Sequence, residues 1–134
     1  MGELNEELKE KYMQFQTLQR HIEQISEHLQ MFNQQIQEIE ISSDSLKEVA
    51  ETKQDTEMLC PLANGIFLKT KLNDNKKIIV NVGADTTVEK TIPQVIEMLE
   101  KQKHKVMKKI VEAESMLQEM HSQAMKIYKE VEGA

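Results

Sequence analysis

The chain has 134 residues, a net charge of −6 and an aromatic share of only 4%, with no tryptophan. Its mean hydropathy is −0.56, so a large globular core is not expected. Residues 1–50 carry 4 basic and 10 acidic side chains, and the acidity is therefore concentrated in that segment. Nucleic acid is a poor partner for such a chain, because binding phosphates requires a surplus of basic side chains.

The sequence also limits the compartment. A single cysteine, Cys60, excludes an internal disulfide framework and a multi-cysteine zinc site, and it fits a reducing environment. No apolar run approaches the roughly 20 residues of a membrane span, and residues 1–10 lack the order of a signal peptide. Myristoylation at Gly2 is not expected, because Glu6 stands where that motif has Ser or Thr. We predict a soluble cytoplasmic protein without a membrane partner.

Apolar residues recur at alternating steps of three and four through the first 50 residues, which predicts a coiled-coil helix from near Glu3 to about Ala50. The seam consists of Leu4, Leu8, Phe15, Leu18, Ile22, Ile25, Leu29, Phe32, Ile36, Ile39 and Leu46. Lys11 and Ser43 interrupt it. The short polar side chains at residues 42–45 are expected to weaken the helix, because they compete for backbone hydrogen bonds.

Short β-branched and alternating runs replace the heptads between residues 57 and 90. The runs at 66–72 and 77–82 are separated by the turn-forming residues 73–75, which predicts a hairpin between them. Residues 57–62 are expected to pair on the outside of this hairpin, at an edge because they contain a proline. Residues 86–90 are expected to form a second hairpin with the run at 77–82.

The insert is thus predicted to hold about four short strands in two hairpins. Gly65 and Gly83 stand where a bulge or a tight bend needs a residue without a Cβ. So few strands cannot cover both faces of a sheet, so we expect the insert to assemble with other chains. The residues predicted at this interface, here called the hairpin residues, are Leu62, Ile66, Phe67, Leu68, Ile78, Ile79, Val80, Val82 and Val88.

A second helix is predicted to begin with a capping box, in which Thr91 and Gln94 have the required spacing and Pro93 stands in the first turn. Its apolar seam contains Ile92, Ile96, Leu99, Val106, Ile110, Ala113, Leu117, Met120, Ala124, Ile127 and Val131. Only Lys103 breaks the alternation. The second seam matches the first in length.

The two helices are predicted to fold back as an antiparallel pair, because each narrow apolar stripe otherwise stays in water. The expected fold is mainly α, a long antiparallel two-helix coiled coil with the β insert at its centre. We expect one domain over residues 1–134, with a first helix at 1–50, the insert at 57–90 and a second helix at 91–132. Matching the helix ends at the insert places Phe15 near Ile127 and Ile39 near Lys103.

Five lysines lie close together in the second helix, at positions 101, 103, 105, 108 and 109. The same register brings them beside Glu38, Glu40 and Asp44. We interpret the run as a solvated, paired helix face rather than as a nucleic-acid patch.

The ends of the two helices farthest from the insert contain more apolar residues than a two-helix tip can hide. The tip residues are Leu4, Leu8, Tyr12, Met13, Phe15, Met120, Met125, Ile127, Tyr128 and Val131. Met13 and Met125 fall outside the seam, so we expect them to be exposed and to bind varied apolar groups, for which flexible methionine is suited. For Leu8, Phe15, Met120 and Ile127 the favoured interpretation is that they close the end of the seam.

Catalytic and metal sites are not predicted. His21 and His28 lie seven residues apart, about 10 Å along a helix, which is too far for one ion without other ligands. His104 and His121 lie in no cluster of ligands, and Cys60 has no convincing base. No loop has the pattern of a phosphate cradle. We therefore expect no enzyme, no cofactor and no metal.

The arrangement of helix, β insert and returning helix resembles the prefoldin family, specifically its alpha-type subunits. The resemblance is carried by residues 76–91, in which a strand ending V-x-V-G at 80–83 is followed by V-E-K at 88–90. Gly-Ile-Phe at 65–67 and K-L-x-D at 71–74 also match. These motifs cover about a quarter of the chain, and the architecture covers all of it.

The resemblance implies a hexamer of two alpha-type and four beta-type subunits, joined through their β inserts. It also implies an ATP-independent chaperone that captures unfolded client proteins at the tips and delivers them to a group II chaperonin. The alternative from another class is a structural coiled-coil adaptor that joins partners through the insert and has no chaperone activity.

Overall fold

The computed structural model describes the backbone of residues 2–133 and the side chains of residues 5–133. Its elements in chain order are α1 (Gly2–Glu51), β1 (Glu57–Ala63), β2 (Ile66–Lys71), β3 (Lys77–Gly83), β4 (Thr86–Thr91) and α2 (Ile92–Glu132). Two long helices therefore flank four antiparallel strands in two hairpins, which confirms the predicted fold class.

The chain divides into two compact units. The helix-pair unit contains the residues up to Gln37 together with those from His104 onward, and the hairpin unit is Glu38–Lys103. Each is described by itself below.

In the hairpin unit, α1 continues through the serine-rich stretch without a break. The Ser42 hydroxyl donates to the carbonyl oxygen of Glu38 at 2.8 Å, so its side chain is satisfied within the helix. Ser43 is buried, at a position where the seam calls for an apolar residue. The expected weakening of the helix therefore does not interrupt it.

The start of α2 has the predicted capping box. The Gln94 amide donates to the Thr91 hydroxyl at 3.3 Å, and the Thr91 amide donates to Gln94 Oε1 at 3.0 Å. Two amide groups that a helix start leaves without partners are thereby satisfied. Ile92 and Val95, in the first turn, are buried and form the apolar core of the hairpin unit.

The strand pairing differs from one prediction. β1 pairs with β2, and β3 pairs with β4, in two separate two-stranded sheets, so the expected hairpin between residues 66–72 and 77–82 is wrong. The turn of the first hairpin is Asn64–Gly65, where Gly65 has a φ of 76°. Asn-Gly is a strong turn signal for a two-residue loop. The chain therefore reverses at Asn64–Gly65 and not at the longer polar segment 73–75.

That polar segment is a connector bound to the end of α1. Asp74 Oδ1 accepts hydrogen bonds from the amides of Lys76 and Lys77, at 2.7 and 3.3 Å. The Asn75 side chain donates to the Thr52 carbonyl oxygen at 3.0 Å. These bonds hold the connector against the helix end, so its residues are not free to turn one strand back onto the other.

In the second hairpin, Gly83 has a φ of 117° beside a register shift between Asn81 and Gly83. The Gly83 amide donates to Asn81 Oδ1 at 2.9 Å. A side chain at this φ would be strained, so the bend predicted here does require glycine.

Contacts between the helices agree with the predicted antiparallel register. In the helix-pair unit the Phe15 and Tyr128 rings lie 6.2 Å apart, and Lys11 Nζ lies 3.3 Å from a Glu130 carboxylate oxygen. In the hairpin unit Lys103 Nζ lies 3.3 Å from Glu40. The two lysines that interrupt the seams, Lys11 and Lys103, are therefore each paired with an acidic residue of the other helix. Lys103 belongs to the five-lysine run, and its partner Glu40 is one of the three acidic residues predicted beside that run.

Candidate binding surfaces

The first hairpin exposes apolar side chains on both of its faces. Pro61 pairs with Phe67 and Cys60 pairs with Leu68, and successive pairs point to opposite faces. Leu62, Ile66, Phe67 and Leu68 are all exposed. Two strands have no second layer of their own, so this surface remains in water unless another chain covers it.

The second hairpin is less symmetrical. Val80 and Val88 face each other and are half-buried, as is Ile78. Ile79 lies on the other face and is 75% exposed, and Val82 is also exposed. The nine hairpin residues therefore divide into three that are partly covered within the chain and six that are exposed.

Leu59 belongs to the same surface and is missing from the prediction. It is exposed and lies opposite Lys69, two residues from Pro61 on the same face. The available signal was the short apolar run Met58-Leu59-Cys60 within the predicted edge strand at residues 57–62, but this run has no polar and apolar alternation to assign Leu59 to a face.

The described tip residues divide by their position on the helices. Tyr12, Met13, Met125 and Tyr128 are exposed, whereas Leu8, Phe15, Met120, Ile127 and Val131 are half-buried along the seam. The side chain of Leu4 lies outside the described residues. The expected exposure of Met13 and Met125 is confirmed, since they are 65% and 57% exposed. Their role in binding stays a prediction.

A groove of about 460 Å³ opens beside these residues between α1 and α2, within the helix-pair unit. Its lining includes Phe15 and Ile22 from α1 and Ala124, Met125 and Tyr128 from α2. Ala124 is buried and small, so it forms a low floor between larger neighbours. The heptad pattern counted Ala124 only as a seam residue and did not reveal the groove.

The connector between the two hairpins contains a carboxyl group with a shifted pKa. The amides of Lys76 and Lys77 hold the pKa of the Asp74 carboxyl below its ordinary value of 3.8, because they donate hydrogen bonds to its charged form. Cys60 is an exposed free thiol.

Among the described residues there is no group of three or more His, Cys, Asp or Glu side chains placed to hold a metal ion. Neither helix, over the residues searched, has a stretch long and apolar enough to cross a membrane.

Comparison with known proteins gives matches over most of the chain. The family model for "Prefoldin subunit" matches residues 18–134. "Prefoldin subunit alpha" of Methanococcus aeolicus is 30% identical, covering 97% of this chain and 93% of that protein. "Prefoldin subunit alpha 1" of Thermococcus kodakarensis is 33% identical over 75% of this chain and 69% of its own length. A cryo-EM structure of filamentous PFD from Methanocaldococcus jannaschii shares the fold, with a TM-score of 0.59 at 17% identity, covering 94% of this chain and 98% of that one.

Proposed function

Because this chain belongs to the prefoldin family and matches its alpha subunits, we propose that it is an alpha-type subunit of an ATP-independent chaperone. Prefoldins are non-enzymatic chaperones built from several prefoldin subunits. In the proposed complex, two copies of this chain join four beta-type subunits in the cytoplasm. The complex captures unfolded polypeptides and delivers them to a group II chaperonin, without catalysis by this chain.

One observation carries the proposal. Large apolar side chains are exposed in two different places, the hairpins of one unit and the helix ends of the other. The hairpin residues supply an assembly surface, because strands with unpaired edges and uncovered faces associate readily. Met13 and Met125 supply a capture surface, since flexible methionine side chains adapt to apolar groups of different shape. Several weak contacts acting together give avidity without a deep pocket.

Assembly is tested by light-scattering mass after size-exclusion chromatography. This chain is measured alone and then mixed with a beta-type subunit from the same source. We expect one defined species with two copies of this chain and four of the partner. A chain that ignores the partner and remains a simple dimer would count against the proposal.

Capture is tested by deleting residues 1–13 and 125–134 from the chain in the assembled complex, which removes both Met13 and Met125. We expect suppression of client aggregation to fall while the mass of the complex changes only by the deleted residues. If suppression is intact in that complex, the tips do not bind clients.

The adaptor is the second candidate, favoured by the exposure of the hairpins alone. It differs from the chaperone at the helix ends, because an adaptor has no reason to bind denatured proteins of unrelated sequence. Binding of several such proteins by the assembled complex, and not of their folded forms, excludes it.

A further inference from the structure

We propose that the groove between α1 and α2 in the helix-pair unit binds the apolar stripe of an amphipathic helix that carries acidic side chains along one edge and basic side chains along the other. The inference rests on the proposed function, in which this unit captures client polypeptides. It adds the class of segment that the groove accepts.

The spacing of the lining residues indicates a helical occupant. The α1 wall contains Phe15, Gln19, Ile22 and Glu23, and the α2 wall contains His121, Ala124, Met125 and Tyr128. Each set covers two turns of one helix face, so the groove runs along both helices for about 10 Å. A third helix laid there inserts its residues i, i+3, i+4 and i+7 between the walls. An extended strand directs every second side chain away from the groove and fills it poorly.

The apolar part of the groove suits such a stripe. Ala124 forms a buried floor, and the Phe15 and Tyr128 rings, with centroids 6.2 Å apart, stand at one end. Met125 is exposed on the rim. A leucine or phenylalanine side chain entering above Ala124 meets apolar atoms from both helices, which is the packing of a three-helix core.

The two edges of the groove carry opposite charges. On the α1 edge Glu23 lines the groove, and Glu27 follows one turn later on the same face. Arg20, one turn before Glu23, is the basic side chain beside them, so this edge has two acidic side chains against one basic side chain. On the α2 side Lys126 and Lys129 line a shallow depression that adjoins the groove through His121 and Met125.

Two further acidic residues near the α2 side do not alter this contrast. Glu130 is paired with Lys11, and Glu132, one turn beyond Tyr128, leaves two basic side chains against one acidic side chain on the α2 side. An occupant with basic residues facing α1 and acidic residues facing α2 therefore matches both edges.

The test uses the full-length chain and three labelled synthetic peptides with the same leucine stripe. One has a lysine column and a glutamate column beside the stripe, one has lysine in both columns, and one has glutamate in both. Fluorescence anisotropy at low salt is expected to show the mixed peptide binding about fivefold tighter than either single-sign peptide, since exposed ion pairs contribute modestly. Circular dichroism is expected to show helix gained by the peptide on binding.

Charge reversals make the test specific. Glu23→Lys with Glu27→Lys gives two basic edges and is expected to make the all-glutamate peptide the best ligand. Lys126→Glu with Lys129→Glu gives two acidic edges and is expected to favour the all-lysine peptide. The matched control, Glu6→Lys with Glu10→Lys, has the same charge change on α1 at exposed positions outside the groove and is expected to keep the wild-type order.

The proposal is overturned if the three peptides bind equally, if the reversals do not change their order, or if the bound peptide gains no helix. It is also overturned if a second copy of the chain fills the groove. Light-scattering mass of a charge-reversal variant mixed with the wild-type chain reveals such pairing. If the protein suppresses client aggregation but binds none of the peptides, this inference fails and the proposed function stands. If it does neither, the proposed function fails as well.

Discussion

The hairpins and the helix ends both expose apolar side chains, but they do so on different backbones. In the hairpins each strand has one edge of free amides and carbonyls, and the exposed residues include stiff β-branched ones such as Ile79 and Val82. On the helices the backbone bonds are satisfied internally, and the exposed residues Met13 and Met125 are flexible.

The hydrophobic effect favours binding at both regions, but the hairpins are expected to be more selective for their partner than the helix ends are. A partner of the hairpins must match both a row of backbone groups and a rigid surface, which favours one fixed neighbour. A partner of the helix ends needs only apolar side chains, which favours many. The comparison predicts that changes in the two regions affect assembly and client capture separately.

The largest effect is expected for Ile79→Asp. A carboxylate placed in a covered apolar surface loses the burial of the isoleucine and adds a desolvation cost, so association is expected to weaken about 100-fold or more. Sedimentation or light-scattering mass of the complex measures this. The control is Ile41→Asp, which changes another exposed isoleucine, on α1 outside the hairpins, and is expected to assemble normally. Normal assembly of the Ile79 variant would remove the hairpins as the interface.

The next effect concerns the helix ends. Replacing Met13 and Met125 by glutamate is expected to reduce suppression of client aggregation several-fold and to leave the mass of the complex unchanged, because exposed apolar contacts are lost without touching the hairpins. Leucine at both positions is expected to retain most activity. Glutamate at Met31 and Met107, which are also exposed on α1 and α2, is the matched control. An equal loss in that control would mean that capture is not confined to the ends.

A smaller effect tests the junction between a hairpin and α2. Thr91→Ala removes the hydroxyl that accepts the Gln94 amide, and the free energy of unfolding is expected to fall by about 1 kcal/mol. Urea unfolding followed by circular dichroism measures it. Thr87→Ala, on the same strand but outside the cap, controls for the loss of a β-branched residue. Equal losses in the two variants would show that the cap contributes nothing.

The smallest effect is expected at the connector. The charged Asp74 carboxylate stabilises the folded connector, since its pKa is lowered there, so its contribution is present above about pH 3.8 and is lost as the pH falls through the lowered pKa. Asp74→Asn is expected to have a slightly lower Tm than the wild type at neutral pH, with the difference shrinking below that value. Asp44→Asn, exposed on α1, is the control. A difference that does not depend on pH would contradict the role of the charge.

Local signals predicted much of this molecule. The heptads located both helices and predicted their antiparallel pairing, because a seam with period 3.5 can be buried only along one stripe. Matching the helix ends at the insert then predicted the register. Thr91 and Gln94 located the start of α2, because a capping box depends on residues three apart. Gly65 and Gly83 located the bends, because their φ values exclude most side chains.

Strand pairing was harder to predict. Residues 73–75 have the composition of a turn, yet Asp74 and Asn75 use their side chains to bind the connector and the end of α1. Asn64–Gly65 supplied the turn instead. Composition alone does not distinguish these outcomes, because the partner of Asn75 is the Thr52 carbonyl, which is distant in sequence.

By itself, the sequence determined the helices, the number of strands and the residues that fall outside the seam, since these follow from periodicity and from the φ limits of single residues. Only the tertiary structure decided which strands pair and where a groove opens between α1 and α2. The physical reason is that pairing and grooves depend on residues brought together from distant positions, such as Ala124 between Phe15 and Ile22. The sizes of these side chains decide whether a groove opens only once the register of the two helices is set.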